Sequence, residues 1–174
     1  MTEVIKFDSS IMEDERDAIN SLLANQARPF LEVRGDVSLG LMITYVREGG
    51  FNLFSLDGKA RPLKDGRWQI EIYPPRRDLK GREMVERTLL VVGMGIAGFC
   101  WDHLRPLERR YFEQQLAEYG EMSPIEDIAL RRQGLDPVSY TFCQTASYMM
   151  CCPEEAKNWA VQAINGCLAS SKIK

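Results

Sequence analysis

The chain has 174 residues, of which 45% are hydrophobic and 27% charged. That length buries a sizeable core without disulfides or a structural metal, and that composition excludes a disordered or fibrous chain. A formal net charge of −3 and a pI near 5.3 exclude a globally basic polyanion binder, so nucleic-acid binding would need a local basic patch.

The opening residues MTEVIKFDSS lack the charged-then-apolar plan of a signal peptide. The longest apolar run, residues 89–101, is shorter than the roughly 20 residues that cross a bilayer. Five cysteines, with Cys151 and Cys152 adjacent, fit reduced thiols better than a disulfide framework. The expectation is one cytoplasmic domain over residues 1–174 with no membrane segment. Its character changes near residue 80, with a helix and strands over 1–80 and helices over 81–174.

In chain order, Ser10 and Glu13 have capping-box spacing, and Met12, Ile19, Leu22 and Leu23 then share a helical face that Pro29 closes. Residues 38–46 (SLGLMITYV) alternate like a half-buried strand. Glu48-Gly49-Gly50 supplies a turn, residues 51–56 (FNLFSL) have strand character, and residues 57–66 form a polar loop with two Asp-Gly turn signals. Trp68, Ile70 and Ile72 then share a strand face, which Pro74-Pro75 ends. Antiparallel connection is the economical reading: a three-stranded meander, with residues 30–33 (FLEV) as a fourth strand.

Four helices or so follow. Residues 82–104 read either as a buried helix or as strand–turn–helix. After Pro106, Leu107, Tyr111, Leu116 and Tyr119 fall roughly on one face. Ser123-Pro124-Ile125-Glu126 combines an N-cap, a proline at the first helical position and a capping-box glutamate, with Gly134 as the stop. Asp136-Pro137 starts a further helix, although VSYTF also alternates like a short strand. Last, Ala156, Trp159, Ala160, Ala163, Ile164, Cys167 and Leu168 recur at spacings of three and four. That face packs most simply on the sheet. The predicted class is α+β: an N-terminal helix, the antiparallel meander, and a mostly helical C-terminal half on one face of it.

Two segments are candidates for a phosphate-bearing cofactor. Gly93, Gly95 and Gly98 form a G-x-G-x-x-G pattern after an apolar run, as in dinucleotide-binding folds. What must follow is missing: Pro106 curtails the helix, and some twenty residues on the chain is FEQQLAEYGEMS rather than a strand ending in a ribose-binding acid. The glycines therefore read as close packing, each opposing a helix by ~1 kcal/mol relative to alanine. The second segment, YPPRRDLKGREMVERTLL, resembles the acyl-CoA pyrophosphate loop of the GNAT acetyltransferases over about twenty residues. It departs from that family's R/Q-x-x-G-x-G/A pattern, because Arg77 and Gly81 are one residue too far apart and Glu83 replaces the second small residue. The resemblance implies acyl-CoA held at Arg77 and Gly81.

His103 is the only histidine. It lies three residues from Cys100, and Cys151 with Cys152 would complete four metal ligands, but the spacing matches no zinc pattern. Cys100 and His103 are equally candidates for a nucleophile pair. The acidic run Glu13, Asp14, Glu15 and Asp17 sits where it complements a helix dipole. No catalytic residue, cofactor or metal is assigned.

The leading functional expectation is a non-enzymatic protein–protein interaction protein: an inhibitor, immunity protein, chaperone or adaptor. Its partner is another protein or a second copy of the chain. The candidate contacts are the basic segment Arg76, Arg77, Lys80 and Arg82, suited to an acidic partner, and Tyr148, Met149 and Met150, since methionine-rich surfaces adapt to what they bind. The competing class is a small enzyme or binder using residues 77–81 or 93–98 for a dinucleotide or acyl-CoA.

Overall fold

The computed structural model describes residues 4–7, 9, 11–33, 40–45, 58–65, 67–73 and 78–172. Four strands, β1 (Val4–Phe7), β2 (Gly40–Tyr45), β3 (Gly58–Pro62) and β4 (Trp68–Ile72), make one sheet in the order β1-β2-β4-β3. Two helices lie between β1 and β2: α1 (Glu13–Ala24) and the single turn α2 (Arg28–Leu31). After the strands come α3 (Arg82–His103), α4 (Pro106–Tyr119), α5 (Pro124–Arg132), α6 (Pro137–Cys151) and α7 (Asn158–Ser171), with a 3-10 turn at Pro153–Glu155 before α7.

This corrects the antiparallel meander. β1 pairs parallel with β2, and β2 pairs parallel with β4; only β3 and β4 are antiparallel. Helices dominate, and a strand precedes the first of them. The chain can run β1 and β2 in the same direction because α1 and α2 form a crossover between them, as a parallel pair requires. Within the two alternating patterns, residues 40–45 and 68–72 are strands, but alternation reports which side chains share a face, not which way a neighbour runs. The segment FLEV is not a strand, since Phe30 and Leu31 belong to α2, where both are buried. β3 falls inside the segment read as a polar loop. Residues 46–57, including FNLFSL, and Pro74-Pro75 lie outside the described residues.

The helices do not share one face of the sheet either. α3 alone packs closely on β3 and β4, and α1 and α2 pack against it. α6 packs along α3, facing β3 only across a hollow, and α7 packs on α4 and α6 rather than on the sheet. Burial follows this order. Val92, Ile96, Ala97 and Cys100 of α3 are fully buried, and Ala160, Ala163, Ile164, Cys167 and Leu168 of α7 form the apolar stripe that its spacing predicts. An aromatic cluster joins the outer helices: Phe142 packs against Trp101 at 5.0 Å and against Phe112 at 5.2 Å, and Phe112 meets Trp159 at 6.2 Å.

Three helix starts explain themselves locally. At α1 the backbone N–H of Met12 donates to Glu15, 3.0 Å away, so Glu15 rather than Glu13 closes the first turn; Ser10 lies outside the described residues. Buried Glu15 also accepts from the Thr88 hydroxyl at 2.6 Å, which ties α1 to α3. The α5 box forms with Ser123 and Glu126, whose side chains each bond the other's backbone N–H. Asp136 caps α6 by accepting from the Ser139 N–H at 3.0 Å.

The face of α4 differs from the sequence reading. Leu107, Tyr111 and Tyr119 are exposed, whereas Glu108 and Phe112 are buried. Glu108 is held inward because it accepts from the backbone N–H of Arg105 at 2.7 Å and pairs with the Arg105 guanidinium. The same guanidinium donates to the Ser170 carbonyl and so fastens α4 to α7.

Candidate functional site

The glycine pattern lies wholly inside α3, so no loop is available to cradle a pyrophosphate. Its glycines face three different surroundings. A Cβ on Gly93 would stand 2.8 Å from Ser147 Oγ of α6, and one on Gly95 would stand 2.7 Å from Ile70 Cδ1 of β4. One on Gly98 would meet nothing within 4 Å. Gly93 and Gly95 thus let α6 and the sheet approach α3 from two sides, and the Ser147 hydroxyl fills the space by donating to the Leu90 carbonyl at 2.9 Å. Gly81 precedes the first turn of α3 with φ +54, a conformation that side-chain-bearing residues rarely adopt. Its place in the chain is therefore explained by backbone geometry. Arg76 and Arg77 lie outside the described residues.

Of the thiol and imidazole candidates, Cys100 and His103 sit near the end of α3, and Cys151 and Cys152 at the end of α6. His103 Nδ1 lies 2.8 Å from the Phe99 carbonyl, and its ring packs on Phe99 at 4.1 Å. Cys100 is buried, and burial raises its thiol well above the ordinary range. Cys151 donates to the Leu89 carbonyl, and burial pushes it up to about 12; Cys143 and Cys167 reach about 12 for the same reason. Cys152 is also raised, first by burial and then by the charges of Glu154, Glu155 and Glu86. Raised thiols are poor nucleophiles near neutral pH, because the thiolate is the reactive form. Among the described residues no group of three or more His, Cys, Asp or Glu side chains could hold a metal ion.

Of the proposed contacts, Lys80 pairs with Asp78 and Arg82 with Glu86, all at the surface. Other basic residues are also locally engaged: Arg109 donates to the Trp101 and Asp102 carbonyls at the end of α3, and Arg131 pairs with Asp127. Met150 is buried in the core, and Met149 is half-buried and packs against it. Tyr148 differs, because it lines open space.

That space was not anticipated from the sequence. A groove of about 370 Å³ runs between the end of α4, α5, α6 and the start of α7. Leu116, Met122, Leu130 and Trp159 give it an apolar lining, and Tyr140, Gln144 and Tyr148 form one wall. Those three recur every fourth residue along α6, and the same ridge borders a neighbouring hollow of about 230 Å³. Beside the groove, α5 contributes no buried residue and exposes Ile125 (80%) and Ile128 (50%). The four-residue spacing in α6 and the Ile125/Ile128 pair were the available signals, but apolar periodicity alone does not say which side faces water.

α3 is long and apolar enough to cross a membrane by length and composition, yet 56% of its most apolar window is buried against the rest of the chain. No protein-family model, curated protein or solved structure matches this chain.

Proposed function

We propose that the chain is a non-enzymatic protein–protein interaction protein, of the inhibitor, immunity, chaperone or adaptor type, that docks its partner on the α4–α5–α6 surface. The observation that carries this reading is α5. A helix with two exposed isoleucines and no buried residue, bordering an apolar groove, contributes little to its own core. Exposed apolar side chains on a helix that supports no core are the ordinary substance of an interface centre. Supporting it, His103 and the Cys151 and Cys167 thiols are engaged in hydrogen bonds to backbone carbonyls.

The cofactor reading has less behind it. Backbone N–H groups in the interior of α3 are used by the helix itself, so residues 93–98 have none to offer a phosphate. Capture from native-host extract tests the interaction reading: wild type should retain a partner that Ile125→Asp/Ile128→Asp loses while keeping its melting temperature. An unchanged set of co-purifying chains would refute docking at α5. Concentration-dependent thermal stabilisation by NAD, NADP, FAD, ATP or acetyl-CoA would replace this reading with the cofactor one. Light scattering identifies the case in which the partner is a second copy.

A further inference from the structure

We propose that the groove beside α5 accepts a basic side chain, arginine or lysine, flanked by apolar residues in a segment of the partner protein. This rests on the interaction reading above and names the chemistry of its partner. The groove is apolar within and acidic at its margin. Its charged lining residues are Glu121, Glu126, Glu155 and Lys157, three acids against one base, an excess of two negative charges.

The acids are not equivalent. Glu126 closes the α5 cap by accepting from the Ser123 N–H, and that bond, with a smaller contribution from Lys157, holds its carboxyl below the usual range. Lys157 offsets one of the three acids, and its charge is felt at Glu126. Glu121 and Glu155, both exposed, supply the excess. A long basic side chain suits such a place, because its methylene stem buries against apolar surface while its charged head stays at the wet rim. Here the stem would lie along Leu116, Met122, Leu130 and Trp159, with the head between Glu121 and Glu155. Arginine has the additional means of stacking on an indole or phenol ring, which Trp159 and Tyr148 offer. An acidic or phosphate-bearing ligand meets the same two carboxylates as repulsion, so the groove discriminates by sign as well as by shape.

The test uses the full chain and two labelled peptides, Ac-GLRLRLG-NH2 and Ac-GLELELG-NH2, with fluorescence anisotropy as the readout. The arginine peptide should bind saturably and the glutamate peptide should not. Glu121→Gln/Glu155→Gln should weaken the arginine peptide about tenfold, as two rim charge pairs would. A control with the same change in net charge, Glu13→Gln/Asp17→Asn on α1, should stay within about twofold. Leu130→Asn, the variant that tests the apolar lining without adding charge, should also weaken binding, and circular dichroism melts establish that each variant is folded. Absence of saturable binding, equal binding of the two peptides, or equal loss in the α1 control would overturn the assignment. If it is overturned while Ile125→Asp/Ile128→Asp still loses the captured partner, the interaction reading stands and only the groove's occupant is wrong.

Discussion

Gly95 and Gly98 lie three residues apart on one helix and make opposite demands. A methyl on Gly95 would press into the Ile70 side chain, itself buried in β4, so that side chain, the sheet or the helix must shift. Gly95→Ala should cost about 1–3 kcal/mol, the usual range for overfilling a packed core. A methyl on Gly98 meets open space, and alanine there should gain up to about 1 kcal/mol from helix propensity. Urea denaturation of the two variants measures both signs, and destabilisation by both would refute this division. The spacing of the glycines was legible in the sequence and their use was not. A G-x-G-x-x-G pattern serves a phosphate only when a loop precedes a helix there, and residues 93–98 are helix throughout.

Among the elements, α4 shows most plainly what periodicity leaves undecided. Leu107, Tyr111 and Tyr119 make an apolar side, yet that side faces outward because Glu108 and Phe112 occupy the interior. A glutamate at an interior position reads as an exposed residue unless its partners are known, and Arg105 is visible as its partner only once the turn into α4 is formed. Glu108→Ala should destabilise the chain by about 1–3 kcal/mol, since the change orphans the Arg105 backbone N–H and removes the acceptor that holds its guanidinium near α7. Chemical denaturation checks it, and Glu108→Gln should recover part of the loss by keeping an oxygen acceptor. A neutral result for Glu108→Ala would mean that the buried carboxylate is not what orients α4. The caps of α5 and α6, by contrast, were readable because Ser123, Glu126 and Asp136 act within three residues of themselves.

At the scale of the whole molecule, what the sequence hid was the sheet's direction and the sharing of contacts among helices. Both depend on residues distant in the chain: β2 pairs with β4 residues 27 positions on, and α7 finds α4 rather than the strands. The buried thiols add a global property. Burial pushes the Cys143, Cys151 and Cys167 thiols up to about 12 in the folded chain, whereas a free thiol titrates near 8.5. Below that lower value both states keep their protons and stability is at its full level. Above it the unfolded chain releases protons that the folded chain retains, so stability falls as pH rises from about 8.5 towards 12. Melting temperatures between pH 8 and pH 10 should decline, and Cys143→Ala should flatten part of that decline. An identical slope in the variant would show that the Cys143 thiol carries none of it.

α5 and α3 also face change under selection very differently. The shape of α5 is secured by its own ends and by the Arg131–Asp127 pair, and its isoleucines support nothing behind them. Substitutions along its outer side can accumulate without eroding the fold, so this helix can track a partner whose surface is itself evolving. α3, pressed against β4 through Gly95 and against α6 through Gly93, has no such freedom. Divergent versions of this chain should therefore keep the small residues of α3 while rewriting α5, and variation confined to the opposite pattern would place the interface elsewhere.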